Sequence, residues 1–182
     1  MRVVAVVGLP GSGKSEAATV ARELDIPVVT MGDVIRTECR ERGLDPATHH
    51  GTVAQTLRKE HGRAAVADRT IPVVEEALES NDIVLIDGVR SDAELDRFRE
   101  AFGDDLELIR IDAPDEERAE RLELRGRDAS ASEGGETLAH RDQRELAFGM
   151  DAAMEQADTV ITNNGTLTSF RERVRAHLSD HV

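Results

Sequence analysis

The start of the chain joins an apolar strand directly to a glycine-rich loop, and this junction constrains the fold more than any other feature. Residues 3–7 are all apolar, and residues 8–15 read Gly-Leu-Pro-Gly-Ser-Gly-Lys-Ser, which is the G-x-x-x-x-G-K-[ST] pattern. The pattern predicts a buried strand that ends at the glycines and a helix that begins at Lys14. Backbone N–H groups of such a loop and the amino end of the helix converge on one point, where they attract phosphate.

This loop predicts a site for a nucleoside triphosphate with magnesium. Lys14 is expected to reach the β- and γ-phosphates, and the Ser15 hydroxyl is expected to hold Mg²⁺, which prefers oxygen ligands. ATP and Mg²⁺ are therefore the predicted cofactors. The predicted nucleotide-binding residues of the loop are Gly8, Gly11, Ser12, Gly13, Lys14 and Ser15.

Short apolar runs alternate with amphipathic stretches along the chain, which is typical of a parallel sheet covered by helices on both faces. The predicted strands are residues 3–7, 26–30, 83–86, 106–111 and 159–161. The predicted helices are residues 14–24, 33–42, 52–61, 64–79, 93–101, 116–124, 136–154 and 167–178. The predicted fold class is α/β, a three-layer α/β/α P-loop NTPase domain with a five-stranded parallel sheet, and all 182 residues are expected to form a single domain.

Two segments interrupt the alternation of strand and helix. Residues 33–80 are too long for one crossover and predict a helical flap, which we interpret as an acceptor-binding insertion. Residues 127–137 are rich in small and polar residues and predict a short lid. Because ligands of open parallel sheets bind at the carboxyl ends of the strands, both segments are expected to cover the site.

Charge limits the partners that such a chain can bind. The sequence has 37 acidic and 23 basic residues and a net charge of -14, which repels nucleic acid and anionic membranes. A nucleotide-like small molecule is therefore the predicted partner, and direct binding of nucleic acid or membrane is not expected. The acidic, lysine-poor composition resembles that of proteins from salt-loving archaea, because molar salt shortens the screening length to about 3 Å and so tolerates self-repulsion.

Cysteine content and hydropathy indicate the compartment. Cys39 is the single cysteine, so it cannot form an internal disulfide, and a reducing cytoplasm is predicted. Apolar runs are far shorter than the roughly 18 residues that cross a bilayer, and no targeting segment is recognised before the glycine-rich loop. The oligomeric state is left open between a monomer and a homodimer.

Four residues outside the loop are candidates for chemistry at the same edge of the sheet. Asp87 ends a buried strand and is expected to hold Mg²⁺, directly or through water, and to contact substrate. Asp33 and Arg36 lie three residues apart on one face of a short helix that follows the second strand. Arg90 is expected to approach the same cleft, where two guanidinium groups can grip a substrate phosphate.

These residues resemble segments of adenylate kinases. Residues 32–36, Gly-Asp-Val-Ile-Arg, resemble the Gly-Asp-x-hydrophobic-Arg segment of that family, and residues 87–90 resemble its Asp-Gly-x-Pro-Arg segment with one residue missing. The resemblance implies that Arg36 and Arg90 bind the phosphate of an acceptor nucleotide. It also implies a fold like that of the nucleoside monophosphate kinases, with a helical acceptor flap and a short lid.

Arginines near the predicted lid resemble those that close over the transferring phosphoryl group in nucleoside monophosphate kinases. Positioning and positive charge account for most catalysis of phosphoryl transfer. We interpret Arg127 and Arg144 as catalytic, Arg125 as a contact of the donor nucleotide, and Arg141 as a substrate contact.

Near the carboxyl end, residues 158–165 resemble the last strand and Asn-Asn-Gly turn of dephospho-coenzyme A kinases. The resemblance implies that Asn163 and Gly165 flank the donor adenine. Altogether the resemblance extends from Gly8 to Gly165. Over this length the chain resembles an archaeal family of kinase-like P-loop proteins.

Three functions remain open on the sequence. The first is transfer of the γ-phosphoryl group of Mg-ATP to a nucleotide or nucleotide-like acceptor. In the second, as in dephospho-coenzyme A kinases, the acceptor is a ribose hydroxyl and Asp33 takes its proton as a general base. The third is an ATPase that acts with a protein or ribonucleoprotein partner.

Overall fold

Five parallel strands form one sheet, as the sequence predicts. The computed structural model describes residues 1–124 and 138–179. The strands are β1 (Arg2–Val7), β2 (Val28–Thr30), β3 (Ile83–Asp87), β4 (Leu106–Asp112) and β5 (Thr159–Thr162). Their order across the sheet is β2-β3-β1-β4-β5, and every pair is parallel. The α/β fold class with a five-stranded parallel sheet is therefore confirmed.

Helices cover both faces of the sheet. They are α1 (Lys14–Glu23), α2 (Met31–Glu41), α3 (Pro46–His61), α4 (Ala65–Leu78), α5 (Asp92–Phe102), α6 (Asp115–Leu124), α7 (Leu138–Ala147), α8 (Met150–Glu155) and α9 (Leu167–Ser179). Alternate residues of β1 face opposite layers, so Val4 and Val6 belong to the core cluster with α1 and α9, and Val3 belongs to the cluster with α2, α3, α4, α5 and α8. None of the helices in the described ranges is both long and apolar enough to span a membrane.

The single helix that the sequence predicts over residues 136–154 is wrong. Helix α7 ends at Ala147, and α8 begins at Met150. The residue between them that breaks the helix is Gly149, whose φ of 103° lies in the left-handed region that glycine adopts without strain. The predicted start of this segment, residues 136–137, lies outside the described residues.

Two further bounds differ from the sequence prediction for local reasons. Helix α3 begins at Pro46, because the Asp45 side chain accepts a hydrogen bond from the Ala47 N–H and proline is tolerated in the first turn. Strand β2 begins at Val28, because the Ile26 N–H bonds to the Ala21 carbonyl in the preceding turn.

Register places the candidate residues at one edge of the sheet. Asp87, the last residue of β3, pairs with Val6 of β1 and with Thr30 of β2. The glycine-rich loop, Asp87 and the start of α2 therefore all lie at the carboxyl ends of neighbouring strands, where α/β folds bind ligands.

Candidate functional site

The glycine-rich loop folds tightly against its neighbours, and its glycines are required for this. Gly11 has a φ of 79°, and a Cβ atom there would lie 2.7 Å from the Arg118 carbonyl oxygen. Gly13 has a φ of 117°, and a Cβ atom there would lie 3.1 Å from the Phe170 ring. Any larger residue at either position would be strained and would push the loop away from these contacts.

Lys14 folds back over this loop. Its Nζ donates hydrogen bonds to the carbonyl oxygens of Gly8 and Leu9. Burial lowers the pKa of Lys14 to about 8; Asp87 raises it and Arg90 lowers it through their charges. A phosphate group bound beside Nζ would favour the charged ammonium and raise this pKa again.

Two buried polar atoms beside the loop have no hydrogen-bond partner within the described residues. They are the Oγ of Ser12 and the Nε of Arg118. An unsatisfied buried donor or acceptor is costly in free energy, and an oxyanion is the kind of partner that both atoms lack. The arrangement thus fits the phosphate tail of a nucleotide.

The side chains suited to Mg²⁺ are Ser15 and Asp87. Ser15 is exposed in the first turn of α1, at the end of the loop. Asp87 lies at the carboxyl end of β3, where burial raises its pKa and the charge of Lys14 lowers it. A hydroxyl and a carboxylate are the oxygen ligands that Mg²⁺ prefers.

Two residues from distant parts of the chain hold the loop in place. The Asn163 side chain is buried, and its Nδ2 donates to the Ser12 carbonyl oxygen at 2.8 Å. Arg121, on α6, donates to the Asn163 carbonyl oxygen at 3.2 Å and to its side-chain oxygen at 3.3 Å. Asn163 therefore contacts the loop directly, whereas Gly165 lies exposed further along the same turn.

The predicted acceptor residues lie on the other side of Asp87. Arg36 forms an ion pair with Asp33, and both side chains are largely exposed, at 45% and 69%. Asp33 is close enough to Asp87 to raise the pKa of that carboxyl. Arg90 instead donates its Nη1 to Glu145 on α7 at 2.9 Å.

His50 lies beside Gly32, as does the Arg36 guanidinium. Its Nε2 donates to the Gly32 carbonyl oxygen at 3.3 Å. Burial lowers the pKa of His50, and the charges of Arg36 and Arg90 also lower it. Arg36 and Arg90 therefore both lie close enough to His50 for their charges to act on it.

A groove of about 410 Å³ opens beside Asp33, between β2, α2 and α4. Its apolar lining includes Val28, Val34 and Val73. Its charged lining consists of Asp33, Glu38, Glu41 and Arg69. Because Arg69 is paired with Glu38, the groove favours an uncharged or cationic ligand over an anion.

Sequence reasoning missed the acidic residues that hold these arginines. Glu94 on α5 is fully buried; it accepts from the Arg90 backbone N–H at 2.9 Å and from Arg58 at 3.2 Å. Glu145 and Asp142 play the same part on α7. In sequence they resemble the many exposed carboxylates of amphipathic helices, and their only signal is a spacing of three residues between Asp142 and Glu145.

The residues that the sequence predicts to close over the site are only partly described. Arg125, Arg127 and the predicted lid at 127–137 lie outside the described residues. The backbone of Arg141 and Arg144 lies in α7, but their side chains are outside the described part of the chain.

The strand order, the loop after β1 and the buried residues that hold it define a P-loop protein with a kinase-like fold. A family model described as an AAA domain, AAA_17, matches residues 7–139. Among solved structures, TT1252 from Thermus thermophilus is 19% identical, with a TM-score of 0.65 over 100% of this chain and 98% of that chain. A shikimate kinase from Bacteroides thetaiotaomicron is 14% identical, with a TM-score of 0.59 over 98% of both chains. A gluconokinase from Sinorhizobium meliloti 1021 is 17% identical, with a TM-score of 0.57 over 98% of this chain and 92% of that chain.

Archaeal relatives are much closer in sequence. A UPF0200 protein from Halobacterium salinarum is 53% identical over 96% of this chain and 91% of its own length. A UPF0200 protein from Methanosarcina mazei is 46% identical over 100% of this chain and 96% of its own length. The chain therefore belongs to the UPF0200 family.

Proposed function

We propose that the protein transfers the γ-phosphoryl group of Mg-ATP to a small-molecule acceptor. The observation that carries this proposal is the loop itself, over which Lys14 folds and beside which the Ser12 hydroxyl and the Arg118 Nε lack a partner among the described residues. The kinase-like fold supports it. In the reaction, the bond between the γ-phosphorus and the β–γ bridging oxygen breaks, and a bond from that phosphorus to an acceptor oxygen forms.

Each residue of the loop region has a distinct part in this proposal. Lys14 binds the β- and γ-phosphates, and Ser15 and Asp87 hold Mg²⁺, which neutralises charge on the phosphate oxygens. Asn163 and Arg121 keep the loop in shape through the Ser12 carbonyl and the Asn163 side chain. We further propose that residues 33–80 form the acceptor-binding insertion and residues 127–137 the lid of the same domain.

A nucleotide-like acceptor with its own phosphate is the first candidate. The charges of Arg36 and Arg90 both act on His50, and two guanidinium groups can bind one phosphate in a bidentate manner. The attacking phosphate oxygen is already ionised, so the reaction needs these arginines more than it needs a base. The acceptor phosphate would replace Asp33 as the partner of Arg36.

A neutral hydroxyl acceptor is the second candidate, and the groove favours it. Asp33 lines one part of that groove, and its carboxylate can take the proton of a hydroxyl that lies there. The carboxylates in the lining disfavour a polyanion but accept hydrogen bonds from an uncharged molecule.

A coupled assay in molar KCl separates these candidates. The acceptor panel contains nucleoside monophosphates, dephospho-coenzyme A, shikimate and gluconate. For a phosphate acceptor, Arg36→Ala should raise the acceptor KM at least about tenfold, whereas Arg40→Ala, which removes an exposed arginine of the same helix, should not. For a hydroxyl acceptor, Asp33→Asn should lower kcat by about 100-fold or more with little change in KM.

The same assay can contradict transfer to a small molecule. Steady ATP hydrolysis that no acceptor changes would favour an ATPase with a macromolecular partner. In that case Arg36→Ala and Arg40→Ala should have the same activity.

A further inference from the structure

Helix α7 presents two carboxylates to the rim of the phosphate loop. Asp142 and Glu145 lie three residues apart, which places them on the same side of the helix. Both are shielded from solvent, with side-chain exposures of 17% and 8%. Carboxylates this close to a phosphate site repel phosphate unless they act through a cation.

Asp142 holds an arginine on one side of the loop. Its two oxygens accept from the Nη1 and Nη2 of Arg118 at 2.9 and 2.6 Å, a bidentate pair. The same Nη1 also donates to the Pro10 carbonyl oxygen at 2.9 Å. Arg118 is only 2% exposed, and its buried Nε has no partner within the described residues. Because Nη2 also donates to Asp115 at 2.9 Å, the Nε N–H is the one that remains, among the described contacts, for a ligand in the loop.

Glu145 holds a second arginine on the acceptor side. It accepts from Arg90 Nη1 at 2.9 Å, while the backbone N–H of Arg90 donates to the buried Glu94 at 2.9 Å. Both the backbone N–H and the guanidinium of Arg90 are thus held by carboxylates. Arg90 and Glu145 also lie close enough to Lys14 for their charges to act on it. The Arg90 side chain is 53% exposed, so it can also donate to a phosphate bound beside Lys14.

We propose that Asp142 and Glu145 are positioning residues that hold Arg118 and Arg90 on opposite sides of the phosphate loop, Arg118 for the nucleotide and Arg90 for its γ-phosphate. Holding a guanidinium in place before the ligand arrives removes the entropy that a free arginine would lose on binding. This inference rests on the proposed nucleotide site and adds to it the residues that orient its arginines.

Calorimetry with two probes tests this proposal without knowledge of the acceptor. The probes are Mg-ADP and the magnesium complex of the β,γ-imido analogue of ATP. Asp142→Ala should weaken both probes about tenfold, because Arg118 borders the loop at Pro10 and Gly11. Glu145→Ala should weaken the imido analogue about tenfold and change Mg-ADP affinity less than about twofold, because only the analogue has a γ-phosphate.

Three comparisons distinguish positioning from general support of the fold. Glu145→Gln keeps a hydrogen-bond acceptor for Arg90 and should recover part of the lost affinity. The double variant Arg90→Ala/Glu145→Ala should bind the analogue no more weakly than Arg90→Ala alone, because the two residues act as a unit. Glu155→Ala removes an exposed carboxylate of α8 and should behave like the wild type.

The proposal has clear contrary outcomes. Additive losses in the double variant, or wild-type affinities for both probes in Glu145→Ala and Asp142→Ala, would overturn it while leaving the proposed function intact. If Glu145→Ala does not fold, Glu145→Gln carries the test, and equal losses for the two probes would overturn the assignment of Arg90. Failure of the wild type to bind Mg-ADP would overturn the proposed function itself, and this inference with it.

Discussion

The phosphate loop and the acceptor side of the cleft are built in opposite ways. Contacts from residues far apart in sequence hold the loop, and buried Asn163 and Arg118 both contact its backbone. On the acceptor side, Arg36 pairs with its near neighbour Asp33, and both are largely exposed. Exposed pairs of this kind contribute little free energy, so an incoming ligand can rearrange them at small cost. We therefore expect the proposed donor site to be preformed and the proposed acceptor side to take its final shape with the substrate.

The largest predicted effect is a difference in Mg-ATP affinity between variants of the two lysines of the chain. Lys14→Ala should lower the affinity for Mg-ATP at least about 100-fold, because it removes charge-assisted hydrogen bonds to phosphate in a buried site. Lys59→Ala, which removes an exposed lysine on α3, should leave the affinity unchanged. Titration calorimetry of both variants measures the difference, and equal affinities would contradict a nucleotide site at the loop.

The next largest effect on Mg-ATP affinity is expected from the loss of a distant residue that supports the loop. Asn163→Ala should weaken Mg-ATP about tenfold, because the Ser12 carbonyl loses its donor and Arg121 loses its bond to the side-chain oxygen. Asn164→Ala changes the exposed neighbouring asparagine and serves as the matched control. If both variants bind Mg-ATP like the wild type, the loop does not depend on its long-range contacts.

The lowered pKa of Lys14 predicts a dependence on pH. A bound phosphate raises this pKa above its free value of about 8, so binding takes up a proton once the free lysine has lost it. Affinity for Mg-ATP should therefore fall about fourfold from pH 7 to pH 8.5. Calorimetry in buffers with different heats of ionisation measures the proton uptake.

The matched control for this pH effect is Lys14→Arg. An arginine stays charged throughout this range, so the variant should show no such proton uptake. Equal uptake by the wild type and by Lys14→Arg would assign the pH effect to another group.

The smallest effect is expected on the acceptor side. Arg36→Ala should change the free energy of unfolding by less than about 0.5 kcal/mol, because its pair with Asp33 is exposed. Its affinity for Mg-ATP should stay within about twofold of the wild type. The unfolding midpoint of the variant, measured beside that of the wild type at the same salt concentration, checks the first value. A large loss of stability would mean that the acceptor side is as rigid as the loop.

The sequence predicts the strand, loop and helix of the phosphate loop well because their signal is local. The strand, the glycines with positive φ and the helix that begins at Lys14 are consecutive in the chain. The order of apolar runs likewise predicts all five strands. The predicted helix bounds are wrong where a single hydrogen bond or glycine decides them, as at Asp45 before α3 and at Gly149 after α7.

The rest of the site could not be predicted because it depends on pairs distant in sequence. Arg118 meets Asp142 across 24 residues, and Arg90 meets Glu145 across 55. A chain with 33% charged residues offers many alternative pairs of this kind, and only packing selects among them. The Arg36 and Asp33 pair was visible in sequence because the two residues are neighbours on one helix.

Titration of the wild-type protein with Mg-ATP in molar KCl tests most directly whether the loop holds a nucleotide. We expect saturable heat with one ATP per chain, a dissociation constant between about 1 μM and 1 mM, and displacement by Mg-ADP. The absence of any heat of binding up to millimolar Mg-ATP, in protein shown to be folded under the same conditions, would contradict it.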